Sequence, residues 1–475
     1  MTFRSQLHID GQWRDGSSSK TFPVVNPAVG EELTAFAVAD DADCDAAVAA
    51  AESALEHWRT TSPRDRSELL RATFEILRDD IERLAEIIVL ENGKSFADAL
   101  GEAKYAIEFF RWYSEEAARV HGDFRRSPSD DKHIIVTHEP VGVALLVTPW
   151  NYPAAMATRK IAPALAAGCT VVLKPARETP LAAAFVVDAL QRAGVPSGVV
   201  NLVTPVPTGP AVSRMLHHPA VRKLSFTGST EVGRVLLHEA ADQVISSSME
   251  LGGNAPFVVL PDADLDMAVE GALVAKMRNG GSACTAANRF YIHSSLCESF
   301  ISRMVSEFST WTVGPGSDRS NQLGALVSID ERDKVADLVD RAVEEGAEIV
   351  CGGKSLDGGA FYEPTVLRGV AHDSEIARTE IFGPVVSIIE YDEVDDAIRM
   401  ANDTIFGLIA YVYGEKGAAL SASLRIEAGM VAVNKGVLSD PAAPFGGMKQ
   451  SGLGREGSSE GILEFLEEKY IGVDL

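Results

Sequence analysis

The chain has 475 residues, 46% hydrophobic and 23% charged, the proportions of a soluble globular protein; that length exceeds one simple core and predicts two or three domains. Its 43 Lys and Arg against 68 Asp and Glu give a net charge of −25. This excess argues against nucleic acid or an anionic membrane as partner, and it requires local cations wherever an anion is to bind. The sequence has no basic-then-apolar leader and no apolar run near the ~20 residues of a membrane span, so a cytoplasmic protein is expected. Five scattered cysteines, Cys44, Cys169, Cys284, Cys297 and Cys351, predict no disulfide framework. The pairs His217 with His218 and His133 with His138 lack further ligands, so no metal is assigned.

Residues 1 to about 40 read as turns and short strands. His8 to Trp13 carries a hairpin signal and Phe22 to Pro27 is extended by its prolines, an entry arm with no catalytic part. Helical periodicity follows over 44–58, 64–90 and 96–116, with charged faces suited to solvent and little to indicate function. Val120 to Pro140 is polar, rich in Arg and Asp, with a strand-like Ile134-Ile135-Val136 inside.

From Val141 the pattern becomes a repeating alternation. Apolar strands Val141 to Val147, Thr170 to Pro175, Val199 to Val203 and Lys223 to Gly228 are separated by helices ending near Ala167, Ala193 and His217. Continuous apolar strands alternating with helices predict a parallel sheet covered on both faces, with ligands at the carboxyl ends of its strands. Informative residues fall at those ends. Thr148-Pro149-Trp150-Asn151 is a turn, Lys174 is a cation able to hold a ribose hydroxyl or phosphate, and Gly228-Ser229 opens a helix, a seat for a phosphate. Together they favour a dinucleotide site, although no G-x-G-x-x-G is present.

Ser248-Met249-Glu250-Leu251-Gly252-Gly253 sets a carboxylate before two glycines that permit close approach. A helical run, Leu265 to Lys276, then enters Met277-Arg278-Asn279-Gly280-Gly281-Ser282-Ala283-Cys284, where Asn279-Gly280-Gly281 break the helix and present one thiol among small residues. A thiol nucleophile and a carboxylate base suffice for two-step acyl transfer: covalent capture, then attack by an activated water.

These residues carry a resemblance. MELGGNAP (249–256) followed by RNGGxxCxxxNR (278–289) resembles the aldehyde dehydrogenase superfamily. TPWN (148–151), KPA (174–176), EIFGP (380–384), AVNKGVLS (432–439) and PFGGMKQSGLGREG (444–457) extend it over nearly the whole chain. The resemblance implies an α/β fold: a Rossmann-like parallel-sheet cofactor domain (1–122 and 142–250), an α/β catalytic domain (251–436) and a small β oligomerisation element (123–141 and 437–475). Its tail, Leu463 to Val473, would pair across subunits of a homodimer or homotetramer. It implies Cys284 as nucleophile, Glu250 as base and Asn151 as a neutral oxyanion donor. Trp150, Lys174, Ala176, Arg177, Gly228, Ser229, Glu380 and Phe382 would bind the cofactor, with Lys160 near the cofactor and proton path. NAD-preferring relatives often carry glutamate after KPA; Arg177 stands there instead, cannot repel a 2′-phosphate, and predicts NADP with NAD as a second cofactor.

Within the superfamily the likeness is greatest to succinate-semialdehyde dehydrogenases, whose equivalents of Arg159, Arg278 and Ser439 hold the substrate's remote carboxylate. Two guanidinium groups and a hydroxyl make a geometry-specific clamp and supply the local positive charge that an anionic substrate needs. Three positions depart from relatives: Ser282, where glutamine is common; Lys435, where an acid is common; and Ala286, where some members have a second cysteine, so no disulfide switch is predicted. The alternatives are another ω-carboxylated or uncharged aldehyde, a cysteine hydrolase or acyl transferase without redox chemistry, and, with least support, a non-catalytic binding role.

Overall fold

The apolar stretches between residues 143 and 250 form the predicted parallel sheet in the computed structural model, which describes residues 2–474. Its five parallel strands lie in the order Val200–Leu202, Thr170–Lys174, Val143–Val147, Val221–Thr227, Ser246–Glu250. The hairpin Leu7–Ile9 with Gln12–Arg14 extends one edge and Gly452–Leu453 the other, both antiparallel. Asp10 and Gly11 turn that hairpin with φ of 51° and 74°, the left-handed pair that matches strand twist. Alternation along each strand splits the core: Ala144 and Leu146 meet the helices Pro63–Asp79, Ile81–Asn92, Phe96–Glu116, Pro153–Ala167 and Pro180–Arg192, while Val143, Leu145 and Val147 face Asp41–Thr60, Thr208–Leu216 and Thr230–Ala241.

A second sheet of seven strands draws on residues 255–433. Ala255–Val259 and Ala287–His293 lie at its centre, and every neighbouring pair is parallel except the edge strand Glu348–Cys351. A third sheet is antiparallel: Leu466–Val473, His133–Pro140, Asp123–Arg126. The strand-like 134–136 thus grows to eight residues, because all eight pair with the tail strand, a partner invisible to local sequence.

Two further elements differ from expectation. Ser246–Glu250, a serine run with no apolar strand signal, joins the first sheet as its fifth parallel strand by pairing with Val221–Thr227. The periodic run 64–90 is two helices, broken at Asp80 (φ −99°, ψ 15°). Aspartate competes poorly for a helix interior, and this one turns its carboxylate to Arg192 at 2.8 Å instead.

What positions the site is the in-register carboxyl edge of the first sheet. Val147 lies opposite Lys174 and Phe226, and Thr227 opposite Glu250, so the segments leaving these strands emerge side by side. The chain passes from Glu250 to the first strand of the second sheet within a few residues, which brings the two sheets together at this edge.

Candidate active site

The helix Leu265–Met277 ends where predicted, and the next residues turn sharply: Asn279, Gly280 and Gly281 have φ of 57°, 59° and 76°. Three consecutive left-handed residues need glycine or asparagine. A Cβ on Gly281 would come within 2.1 Å of the Gly383 carbonyl, and one on Gly253 within 2.4 Å of the Cys284 carbonyl. The cysteine loop is therefore clasped between the Gly252-Gly253 turn and the Phe382-Gly383 loop. Ser282 closes the clasp, its hydroxyl donating to the Phe382 carbonyl at 3.1 Å.

Cys284, half-buried, lines two cavities at once. One of about 490 Å³ is walled by Trp150, Asn151, Thr227, Gly228, Ser229, Glu380 and Phe382. The other, about 350 Å³, is walled by Tyr105, Tyr152, Arg159, Arg278, Ser439 and Phe445. The predicted substrate clamp and most of the predicted cofactor residues thus lie on opposite sides of the same sulfur. Lys174, Ala176 and Arg177 lie outside the first cavity's lining, at the end of the adjoining strand. Lys174 is buried, Ala176 is buried, and the exposed Arg177 holds its guanidinium 5.5 Å over the Phe22 ring of the entry arm.

The first cavity suits a dinucleotide. Thr227 Oγ1 is buried there without a partner, Gly228 has no room for a side chain against the Phe226 ring, and the helix Thr230–Ala241 begins on the cavity wall. Burial drives the Lys174 ammonium down to about 8, with only Glu178 opposing. Burial also lifts Glu380 to about 8, although the Gly253 N–H donates to its carboxylate at 3.2 Å and Lys276 opposes the rise.

Asn151 donates through Nδ2 to the Ser282 carbonyl at 3.3 Å, and its Oδ1 has no partner. Burial pushes the Cys284 thiol up to about 12; Glu380 and Glu250 add to the rise, while Arg159 and Arg278 oppose it. Glu250, at the end of Ser246–Glu250, is buried with both carboxylate oxygens unpartnered. Burial first, then the neighbouring charge of Glu456, hold it well above the ordinary carboxylate range. Burial works against ionising Glu456 too, but Arg159 and Lys160 outweigh it and keep Glu456 low. Lys160 Nζ donates to Glu456 at 2.5 Å and to Ser225 at 2.9 Å, and Arg159 pairs with the other Glu456 oxygen at 2.5 Å.

Sequence reasoning missed Glu456 and a polar group behind the Trp150-Asn151 turn. Asn92 donates to the Trp150 carbonyl at 3.0 Å, Lys94 and Asn279 each donate to the Asn151 carbonyl at 2.8 Å, and Glu102 accepts from the Ala154 and Ala155 N–H groups. A signal was present: Glu102 falls between Ala99, Ala103 and Ala106, on the face that the helix buries. Among the described residues, no group of three or more His, Cys, Asp or Glu is arranged to hold a metal ion, and no helix is long and apolar enough to cross a membrane.

A sequence model of the aldehyde dehydrogenase family matches residues 13–471. The chain is 47% identical over 443 residues to a succinate-semialdehyde dehydrogenase of Paenarthrobacter nicotinovorans, covering 93% of this chain and 98% of that one. It is 44% identical to a 3-sulfolactaldehyde dehydrogenase of Pseudomonas putida, over 99% and 98% of the two chains. The crystal structure of an NADP-dependent enzyme of E. coli superposes with a TM-score of 0.98 at 43% identity, covering 100% of this chain and 98% of that one.

Proposed function

We propose, from the premise that this chain belongs to the aldehyde dehydrogenase family, that it oxidises an aldehyde bearing a remote carboxylate, succinate semialdehyde first, to the acid, with NADP as preferred hydride acceptor and NAD as a second. The observation that carries this reading is the meeting of two cavities at Cys284, one lined by Arg278, Arg159 and Ser439. The likeness to a succinate-semialdehyde dehydrogenase and to an NADP-dependent enzyme supports substrate and cofactor.

Cys284 bonds to the aldehyde carbon, its proton passing to solvent or to Glu250. The Asn151 amide and the Cys284 backbone N–H donate to the oxygen as it gains charge. The nicotinamide, when bound, supplies the hydride acceptor; Trp150, Gly228, Ser229, Glu380 and Phe382 would hold it, with Lys174, Ala176 and Arg177 toward the adenosine end. Cys284 then carries the acyl group as a thioester. Glu250, once ionised, takes a proton from water, whose oxygen bonds to the acyl carbon as the C–S bond breaks. One aldehyde and one water thus give one carboxylate, two protons and one transferred hydride.

A second reading is an aldehyde with a different remote anion. The 44% identity to a 3-sulfolactaldehyde dehydrogenase favours it, since guanidinium groups bind sulfonate as well as carboxylate. The subdivision into residues 1–122 with 142–250, 251–436, and 123–141 with 437–475 is part of the proposal. So is a homodimer or homotetramer, which the exposed Tyr470 and Ile471 on Leu466–Val473 support. Five unpaired cysteines support a cytoplasmic location.

The test is reduction of NADP and of NAD with succinate semialdehyde, with an ω-sulfonated aldehyde and with an uncharged aldehyde of similar length. If all three substrates perform alike, the carboxylate assignment fails and the family chemistry stands.

A further inference from the structure

The residues behind the Trp150-Asn151 turn form a built device. Lys94 is fully enclosed, and its three ammonium directions are all used: Glu102 Oε2 at 2.5 Å, the Asn151 carbonyl at 2.8 Å, and the Tyr152 ring face 4.3 Å away. Asn279, from the cysteine loop, donates its amide both to that same Asn151 carbonyl and to the Ser282 carbonyl at 2.7 Å. Both lone pairs of the Asn151 carbonyl are thereby occupied, one by each side of the site. Glu102 uses its other oxygen to receive Ala154 N–H at 2.9 Å and Ala155 N–H at 3.3 Å, the first donors of the helix Pro153–Ala167. That helix has no side-chain cap of its own; Glu102 supplies one from another helix.

A fully buried ion pair is a poor source of stability, since desolvation cancels most of its attraction. Its value here is geometric. The turn that bears the Asn151 side chain is pinned at its carbonyl and at the helix start that follows, and on the opposite face Asn151 lies beside Cys284. We infer that Lys94 and Glu102 are positioning residues that hold the Asn151 amide where the aldehyde oxygen develops charge; this rests on the oxyanion role proposed for Asn151.

The test is single-turnover hydride transfer in the full-length enzyme for Lys94→Met, Asn151→Ala and their combination. Substrate KM, cofactor Kd and melting temperature are measured alongside. Because Lys94→Met strands a buried carboxylate, Lys94→Met/Glu102→Gln is made as well; its amide oxygen can still accept from the helix start. The transfer rate should fall ~10- to 100-fold in the Lys94 variants, with cofactor Kd and KM moving less than ~3-fold. In the Asn151→Ala background, the Lys94 change should add less than ~3-fold, because it acts through an amide already removed. A general structural defect would instead multiply. Multiplying losses, or a wild-type rate in Lys94→Met/Glu102→Gln, overturn the inference. Asn151→Ala at the wild-type rate sinks the oxyanion assignment, and this inference with it.

Discussion

The two guanidinium groups in the second cavity differ in what already holds them. Arg159 is paired with the Glu456 carboxylate at 2.5 Å and lies 4.1 Å over the Phe445 ring, whereas Arg278 donates to a neutral hydroxyl, Thr285 Oγ1 at 3.4 Å, and lies 5.9 Å over the Tyr152 ring. A substrate anion therefore gains more from Arg278. Replacing Arg278 by alanine should remove ~1.5–3 kcal/mol of charge-assisted binding, ~10- to 100-fold in kcat/KM for succinate semialdehyde, and leave an uncharged aldehyde within ~3-fold; equal losses on both would reject the clamp. The pH dependence follows from the same cluster. Glu250 is a base only when ionised, and its raised value means that acyl release climbs as pH rises through it. In Glu456→Gln the repelling charge is gone while the Arg159 guanidinium stays positive, so the Glu250 proton leaves more easily. The acid limb of the thioester hydrolysis profile should move to lower pH by about one unit, and an unmoved or upward-shifted limb would contradict the coupling. Lys174 gives the opposite sign. Its ammonium is charged below about 8, so cofactor affinity from fluorescence titration should weaken as pH rises through that value, and Lys174→Met should be weaker throughout and flat over the same range.

The cysteine loop is where element geometry and chemistry meet, and two adjacent glycines separate the effects. Gly280 (φ 59°) would set an added Cβ no nearer than 3.6 Å from a neighbour, whereas on Gly281 (φ 76°) it would run into the Gly383 backbone at 2.1 Å. Gly280→Ala should lower stability by about 1–2 kcal/mol through left-handed strain and keep most activity. Gly281→Ala should also push the loop off its support and cost ~100-fold in kcat. Melting temperature and turnover measured on both variants decide this, and equal turnover would mean that the loop tolerates displacement. The break at Asn279-Gly280-Gly281, the apolar strands and the strand-end residues were legible because each signal is local: a helix stops, a run alternates, a motif keeps its spacing. Lys94 and Glu456 were not, since their partners lie 57 and 296 residues away, and for Glu102 only its place on a buried face was local, its partner lying 52 residues away. The helical block 41–120 read as scaffold for that reason, although the Glu102 carboxylate on its buried face reaches the active-site turn. Asp80 escaped notice because its pull is a tertiary ion pair with Arg192, not its own propensity alone.

At the scale of the molecule, the two parallel sheets enclose their cavities and finish their cores with helices, but the third sheet ends in the open. Leu466–Val473 pairs with His133–Pro140 along one edge only, and Tyr470 and Ile471 remain 56% and 42% exposed. An eight-residue edge strand with large apolar side chains and free backbone groups invites further pairing unless something covers it. Another copy of the chain is the cover that the proposed assembly supplies. Two copies each carrying −25 repel one another, so such an interface must be held by apolar contact and strand pairing rather than by net charge. Added salt then screens the repulsion and leaves the apolar part intact. Sedimentation should give a mass two or four times the 50.7 kDa chain, unchanged or greater as salt is raised. Ile471→Lys, which sets a charge on the edge, should shift that mass downward and leave the sheets carrying Cys284 folded by circular dichroism. A wild-type protein sedimenting as one chain would remove the assembly from the proposal. A multimer that dissociates with salt would place its contacts among the charged faces and away from this strand.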